Sequence, residues 1–188
     1  MCTVVVRWGE SVEILALRDE LVGRDFDDPG AWWPALPSVV GGRDRVAGGS
    51  WCVTDVASGV TALVLNRPQR RVGTPSRGAL PLLAVEHGAD WPSYIDMTEM
   101  ASFALVLAAT DALTLWVWDG ERLTSESLSP GTHMVTSGGE EDGKSRRYLA
   151  DFAAAPAGDW PAMVARHAPA DDRAALVVRH AFENGVYA

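Results

Sequence analysis

Residues 1–20 have the sequence MCTVVVRWGESVEILALRDE, and this stretch predicts the first element of the fold. The β-branched and apolar run Thr3–Trp8 is typical of a strand, and Val12–Leu17 is typical of a second one. The segment Gly9–Ser11 between them has the composition of a turn. The two strands are therefore predicted to form an antiparallel hairpin at the start of the chain.

Cys2 is the residue of this stretch with the most distinctive chemistry. Its small side chain permits removal of Met1, which would leave Cys2 with a free α-amine beside its thiol. An α-amine has a reference pKa of about 8, so it can accept a proton at neutral pH. Thiol and base then belong to one residue, as in an N-terminal nucleophile. The alternative is that Cys2 is a small apolar strand residue.

Arg18 and Asp19 follow the second strand, which the hairpin returns to the start of the first. The two charged residues are therefore predicted to lie near Cys2. A cation beside a thiol lowers the thiol pKa, and a carboxylate can hold or orient the α-ammonium group. The alternative is a solvated charge cluster at a strand end, and the residues themselves leave both interpretations open.

The remaining sequence predicts hairpins separated by helices, which indicates a single domain over residues 1–188 with an α+β fold of layered antiparallel sheets. Gly23–Gly49 is rich in Gly, Pro, Asp and Trp without a period and is predicted to be a long loop. Helices are predicted at Gly78–His87, at Thr98–Phe103 and after Ser145. Further strands are predicted at Gly49–Val56, Val60–Leu65, Ala104–Ala109, Leu113–Trp118, Glu121–Leu128 and His133–Ser137.

Charge and hydropathy exclude several classes of function. The net charge is -9, and the basic clusters at 67–71 and 144–147 are short, so no nucleic-acid surface is expected. No apolar run reaches the ~18 residues that a membrane helix needs. The amino terminus lacks the basic region of a secretory signal. A cytoplasmic protein with free thiols is therefore expected.

Several short motifs occur in a characteristic order: Met1–Thr3, Leu15–Glu20, Gly41–Trp51, Gly59–Asn66, Ser76–Leu80 and Leu128–Thr132. Together they resemble the NRDE family, the transport-and-Golgi-organisation-2 family. The resemblance extends over roughly residues 1–137.

That family is similar to N-terminal-nucleophile hydrolases of the choloylglycine and penicillin V acylase type. The resemblance implies a four-layer α-β-β-α sandwich, Cys2 as the nucleophile, and Arg18 and Asp19 as its partners. It also implies that Asn66 donates to the oxyanion, a role for which a strand-ending turn residue is the alternative. Such a donor can contribute about 3 kcal/mol to transition-state stabilisation.

The sequence departs from the family pattern at two asparagine positions. Leu17 replaces the leading asparagine of the NRDE motif. Ser137 replaces a second asparagine, and its hydroxyl can donate a hydrogen bond with a different reach. Many relatives also continue with closing strands, which Asn184–Tyr187 is expected to begin.

Aromatic side chains provide the candidate binding residues. Trp32 and Trp33 lie in the predicted loop, and Trp51 follows a glycine pair; all three are predicted to line a pocket for a hydrophobic acyl or ring ligand. Packing in the core is the alternative. The four histidines show no metal-ligand spacing, so neither a metal nor a resident cofactor is expected, although haem is a possible ligand.

Two functions follow from these observations. The first is an N-terminal cysteine amide hydrolase or acyltransferase that acts on a small hydrophobic N-acyl substrate. The second is a non-catalytic binding or trafficking protein for a hydrophobic ligand such as haem or lipid. The sequence leaves the oligomeric state open.

Overall fold

The computed structural model describes residues 2–21, 23–67, 75–138, 142–170, 172, 174–182 and 185–187. The described chain mixes α and β structure, mostly sheet with three α-helices, which confirms the α+β prediction at that level. The strands are β1 Thr3–Trp8, β2 Val12–Leu17, β3 Phe26–Gly30, β4 Val39–Asp44, β5 Cys52–Asp55, β6 Val60–Asn66, β7 Phe103–Ala108, β8 Leu113–Trp118, β9 Leu123–Ser127, β10 Gly131–Thr136, β11 His180–Phe182 and β12 Gly185–Tyr187; the α-helices are α1 Leu80–His87, α2 Gly143–Ala154 and α3 Trp160–Ala165.

Contacts divide the chain into two compact units. The first unit is Met1–Arg24 with Ser129–Ala188, and the second is Asp25–Leu128. Two sequence predictions concern Met1 and Asn184, which lie outside the described residues. Among the described helices the longest, α2, has 12 residues, and none has the length and apolar character of a membrane span.

The first unit contains a three-stranded antiparallel sheet with β1 in the centre, between β10 and β2. The register places Thr3 opposite Leu17 of β2 and opposite Thr136 of β10. The N-terminal hairpin is therefore confirmed, with both strand ranges as predicted. The run Thr3–Val6 is buried along its whole length, as expected of a central strand.

Helix α2 packs on this sheet. Asp142 is its N-cap residue, and one carboxylate oxygen accepts from the backbone N–H of Lys144 at 3.2 Å. An anion at this end also interacts favourably with the helix dipole. The core of the unit is formed by Val5, Met134, Tyr148, Phe152, Trp160 and Leu176.

The second unit contains a seven-stranded antiparallel sheet, in which β3 to β9 neighbour one another in chain order. Helix α1 lies against β5, β6 and β7, and a 3₁₀ helix over Gly88–Tyr94 follows it directly. Trp91 of this 3₁₀ helix is fully buried. The core here includes Val39, Val53, Ala62, Val64, Leu80, Ala84, Met100, Phe103, Leu105 and Trp118.

The loop predicted at Gly23–Gly49 is wrong, because this segment holds β3 and β4. Strand β3 is at the edge of the sheet, where Pro29 is tolerated. In β4, a Cβ on Gly41 would lie 2.4 Å from the Cys52 carbonyl oxygen. Glycine is therefore required for the close approach of β4 and β5, and it removes the apolar alternation by which a strand is recognised.

The helix predicted at Thr98–Phe103 is also wrong, because β7 begins at Phe103 and the residues before it form a turn. One Asp96 carboxylate oxygen accepts from the Thr98 backbone N–H at 2.9 Å and from the Thr98 hydroxyl at 2.6 Å. Such side-chain contacts to nearby backbone compete with helix formation. The predicted helix at Gly78–His87 is confirmed, beginning with a 3₁₀ turn at Arg77–Ala79.

Gly49 makes a close backbone contact, so replacing it should destabilise the protein more than replacing a glycine with free space around it. A Cβ on Gly49 would lie 2.4 Å from the carbonyl carbon of Gly78, and backbone cannot rotate away as a side chain can. We expect Gly49→Ala to lower the free energy of unfolding by about 2–3 kcal/mol. At Gly158, where nothing lies within 4 Å of a Cβ, Gly158→Ala should change it by less than about 0.5 kcal/mol. Urea unfolding followed by tryptophan fluorescence measures both, and equal values would contradict the expectation.

Candidate active site

Cys2 lies immediately before β1, at the edge of the three-stranded sheet where β2 and β10 end. Its carbonyl oxygen accepts from the backbone N–H of Ser137 at 3.3 Å, one residue beyond the β1–β10 ladder. Its thiol is half-buried and its Sγ lies 4.0 Å from the carbonyl oxygen of Asp19. Segments that follow β2 and β10 therefore hold Cys2 from two sides.

Arg18 directly follows β2, whose last residue pairs with Thr3, so the hairpin brings Arg18 beside Cys2. Its guanidinium forms an ion pair with the carboxylate of Glu20. Glu20 also accepts from the backbone N–H of Leu21 at 2.8 Å and lies 3.9 Å from the Arg24 guanidinium. The positive charge that was predicted to act on the thiol is thus shared with a carboxylate.

Glu20 is a residue that sequence reasoning left out of the candidate site, although it stands in the same motif as Arg18 and Asp19. The position of Glu20 two residues after Arg18 gave no indication that the two side chains would form an ion pair. For Asp19, the contact that the structure gives to the thiol is made by the backbone carbonyl. The predicted role of the Asp19 carboxylate toward the α-ammonium stays a prediction.

Burial raises the pKa of the Cys2 thiol above its usual value. The positive charges of the chain's amino terminus, Arg18 and Lys144 act in the opposite direction, whereas Glu20 raises the pKa further. Burial also raises the pKa of the Cys52 thiol, to about 11. Cys2 differs from Cys52 in having cations around it, which is the kind of surroundings that reactive thiols have.

Ser137 was predicted to replace a family asparagine as a side-chain donor. The structure places it directly after β10 and buries it. Its contact with Cys2 is made by the backbone N–H, which any residue type at this position except proline can supply.

Asn66, the predicted oxyanion donor, belongs to the second unit. It is the last residue of β6, pairs with Phe103 of β7 and has an exposed side chain. Its predicted role stays a prediction.

The three predicted binding tryptophans all lie in the second unit, where they have different surroundings. Trp32 is exposed, and the Arg43 guanidinium lies 4.9 Å from the centre of its ring. Trp33 and Trp51 are half-buried and pack against the core of the unit. The Trp33 indole N–H also donates to the Gly48 carbonyl at 3.2 Å.

Lys144 also lies near Cys2. In the sequence it was assigned only to a short basic cluster. It is the only lysine in a chain that contains 15 arginines, and the structure buries it completely. Its Nζ donates to the Thr3 hydroxyl at 3.0 Å, one residue from Cys2. The imbalance between lysine and arginine was the signal available in the sequence.

Within the described residues, no three His, Cys, Asp or Glu side chains come together in a group that could hold a metal ion. The contacts around Cys2 give a candidate site that consists of a thiol with cations, a carboxylate and backbone groups around it.

A family model described as Transport and Golgi organisation 2 matches residues 1–156. The chain belongs to this family. Comparison with curated proteins and with solved structures gave no match. The resemblance to the Transport and Golgi organisation 2 family in the sequence is thereby confirmed, and the matched span includes Cys2, the segment after β2 and Lys144.

Proposed function

We propose that this member of the Transport and Golgi organisation 2 family is an N-terminal cysteine amide hydrolase or acyltransferase. The observation that carries the proposal is the position of Cys2 at the sheet edge, with its Sγ 4.0 Å from the Asp19 carbonyl and Arg18 next to it. Arg18 and Lys144 both lower the pKa of this thiol. A thiol at the second residue, beside cations, supports a nucleophilic role.

The first chemical step transfers the thiol proton to the α-amine that Cys2 carries after removal of Met1. Such a base is needed because burial raises the pKa of the thiol, which is therefore protonated at neutral pH. The sulfur then forms a bond with the acyl carbon of the amide. As the C–N bond breaks, the α-ammonium returns its proton to the departing amine, and a thioester remains.

The second step releases the acyl group. Water gives a proton to the α-amine and attacks the thioester carbon, the C–S bond breaks, and the thiol regains a proton. An amine or alcohol in place of water would give acyl transfer instead of hydrolysis. Asn66 is proposed as a donor to the oxyanion of both intermediates, as the family resemblance implies.

The fold proposed for this function is the four-layer α-β-β-α sandwich of the N-terminal-nucleophile hydrolases. Two observations support it: each unit contains an antiparallel sheet, and an α-helix packs on each sheet. The proposed substrate is a small hydrophobic N-acyl compound, in keeping with the aromatic residues Trp32, Trp33 and Trp51. The cytoplasmic location stays a prediction from the sequence.

Two mass measurements test the hydrolase proposal. The intact mass of the protein expressed from its own start codon is expected to be lower than the sequence mass by one methionine residue. After incubation with an N-acyl p-nitroanilide and acid quenching, the peptide that contains Cys2 is expected to carry the acyl group as a thioester. Retention of Met1 would contradict the proposal, because Cys2 would then have no α-amine.

A second candidate function is the binding of a flat hydrophobic ligand such as haem without catalysis. It is favoured by the exposure of two large aromatic side chains in the second unit, Phe26 at 57% and Trp32 at 37%. Isolated exposed apolar residues are common, but the exposed part of the Trp32 indole offers a ring surface for a flat ligand, and Arg43 beside it is held in place by Asp27 at 2.6 Å.

Titration with haem measures this second candidate. If the protein binds haem, micromolar haem is expected to give a shifted Soret band, and Trp32→Ala is expected to weaken the binding. An unshifted Soret band would count against haem as the ligand, independently of any hydrolase measurement.

A further inference from the structure

The complete burial of Lys144 in the first unit is unusual for a lysine and requires a physical explanation. Lys144 has no exposed surface, whereas lysine side chains are almost never fully buried unless they are paired. Burial lowers the pKa of Lys144, which shows that the charged form is disfavoured there. The negative charges of Asp142 and of the Cys2 thiolate oppose this effect. Asp142 therefore stabilises the buried ammonium, and Cys2 does so only once its thiol has lost its proton.

Hydrogen bonds connect the Lys144 ammonium to the start of β1 and to the segment before β11. Its Nζ donates to the Thr3 hydroxyl at 3.0 Å and to the Leu176 carbonyl at 3.4 Å. Thr3 directly follows Cys2 and is itself buried. The ammonium thus lies next to Thr3, the first residue of β1.

A second set of contacts approaches Cys2 from β10. Thr136 pairs with Thr3 and donates its hydroxyl to an Asp142 carboxylate oxygen at 2.7 Å. The other Asp142 oxygen accepts from the Lys144 backbone N–H. Ser137, the next residue after Thr136, donates to the Cys2 carbonyl. These contacts link the start of α2, the end of β10 and the start of β1 around Cys2.

The charge of Lys144 differs from that of Arg18 in its exposure to solvent. Arg18 is partly exposed and is paired with Glu20, so solvent and a carboxylate both reduce its effect. Buried charges are screened much less by salt and water than exposed ones. The charged groups that act on the Cys2 thiol are, in decreasing order of effect, the amino terminus, Arg18, Glu20 and Lys144; Lys144 is the fully buried one among those side chains.

We propose that Lys144 is a positioning residue for Cys2, fixing the start of β1 through Thr3 and favouring the thiolate form of Cys2 with its buried ammonium. This role rests on the proposed function, in which Cys2 is the nucleophile. In this role Lys144 acts through its hydrogen bond to the Thr3 hydroxyl and through its charge.

The test is the pH dependence of Cys2 alkylation by iodoacetamide, measured on the Cys2 peptide by mass spectrometry. In Lys144→Met the midpoint is expected to rise by about one pH unit, with a roughly tenfold slower alkylation at pH values below both midpoints. The matched control, Arg147→Met, removes an exposed cation of the same helix and should leave the midpoint unchanged. Equal midpoints in wild type and Lys144→Met would overturn the proposal.

A second measurement does not require Lys144 to be replaced. Because Lys144 is the only lysine, protein labelled with [13C]lysine gives one Cε resonance that reports its titration. Coupling between two groups is reciprocal, so Cys2→Ser should lower the Lys144 midpoint, because the thiolate charge that favours the ammonium is lost. An unchanged Lys144 midpoint would overturn the proposal even if Lys144→Met does not fold.

Neither readout depends on turnover. A chain without hydrolase activity in which the two midpoints move together would contradict the proposed function and support the coupling. An active chain in which the midpoints do not move would support the function and overturn the role of Lys144.

Discussion

Cys2→Ala is expected to lower the turnover of an N-acyl amide by about a thousandfold or more, because it removes the atom that forms the covalent intermediate. Alanine is as small as cysteine at this position, so removal of Met1 should proceed as before. The Cys2 side chain is half-buried at the edge of the sheet, so its truncation leaves the strand pairing in place. Release of p-nitroaniline from an N-acyl p-nitroanilide measures the effect.

Cys52→Ala is the matched control for this experiment, since it removes the other thiol of the chain. Cys52 is in β5 of the second unit, and the pKa of its thiol is raised to about 11 by burial alone. We expect turnover within about twofold of the wild type, because the change removes a buried thiol that has no role in the proposed chemistry. Equal turnover by Cys2→Ala and wild type would refute the nucleophilic role.

Trp91→Ala is expected to have the largest effect on stability. Trp91 has no exposed surface, and its ring centre lies 6.1 Å from that of Phe103 and 5.7 Å from that of Trp116. Removing so large a side chain from a core leaves a cavity and costs about 3–5 kcal/mol. The midpoint of urea unfolding, followed by far-ultraviolet circular dichroism, is expected to fall accordingly.

Trp32→Ala makes the same chemical change at an exposed site. The variant loses the contact with the Arg43 guanidinium, the hydrogen bond from the indole N–H to the Asp28 carbonyl at 2.9 Å, and the close approach of the ring to Gly30. We expect a loss of about 1 kcal/mol. If the two tryptophan variants unfold at the same urea concentration, the assignment of Trp91 to the core is wrong.

The elements that could be predicted from the sequence are those whose conformation is determined by residues within the same segment. The run Thr3–Val6 and the turn after Trp8 fix the first hairpin, and the register then brings Arg18 to Cys2. Apolar runs around short turns likewise predict β7 and β8, which the structure confirms. In these segments propensity and tertiary structure favour the same conformation.

The elements that were missed depend on residues far away in the sequence. Gly41 belongs to a strand because it must approach Cys52 closely, and glycine by itself predicts a turn. Lys144 stands among polar residues at the start of a helix, where an exposed lysine is the ordinary expectation. Its partner Thr3 lies 141 residues away, so only the folded chain shows that the lysine is buried.

The burial of the single lysine also determines how the protein responds to amine chemistry. Acylating reagents, aldehydes and enzymes that modify ε-amino groups all need an accessible amine, and the one ε-amine of this sequence is enclosed in the first unit. An amine-reactive dye would therefore label Lys144 only after the first unit unfolds, so the appearance of labelled Lys144 would report that unfolding.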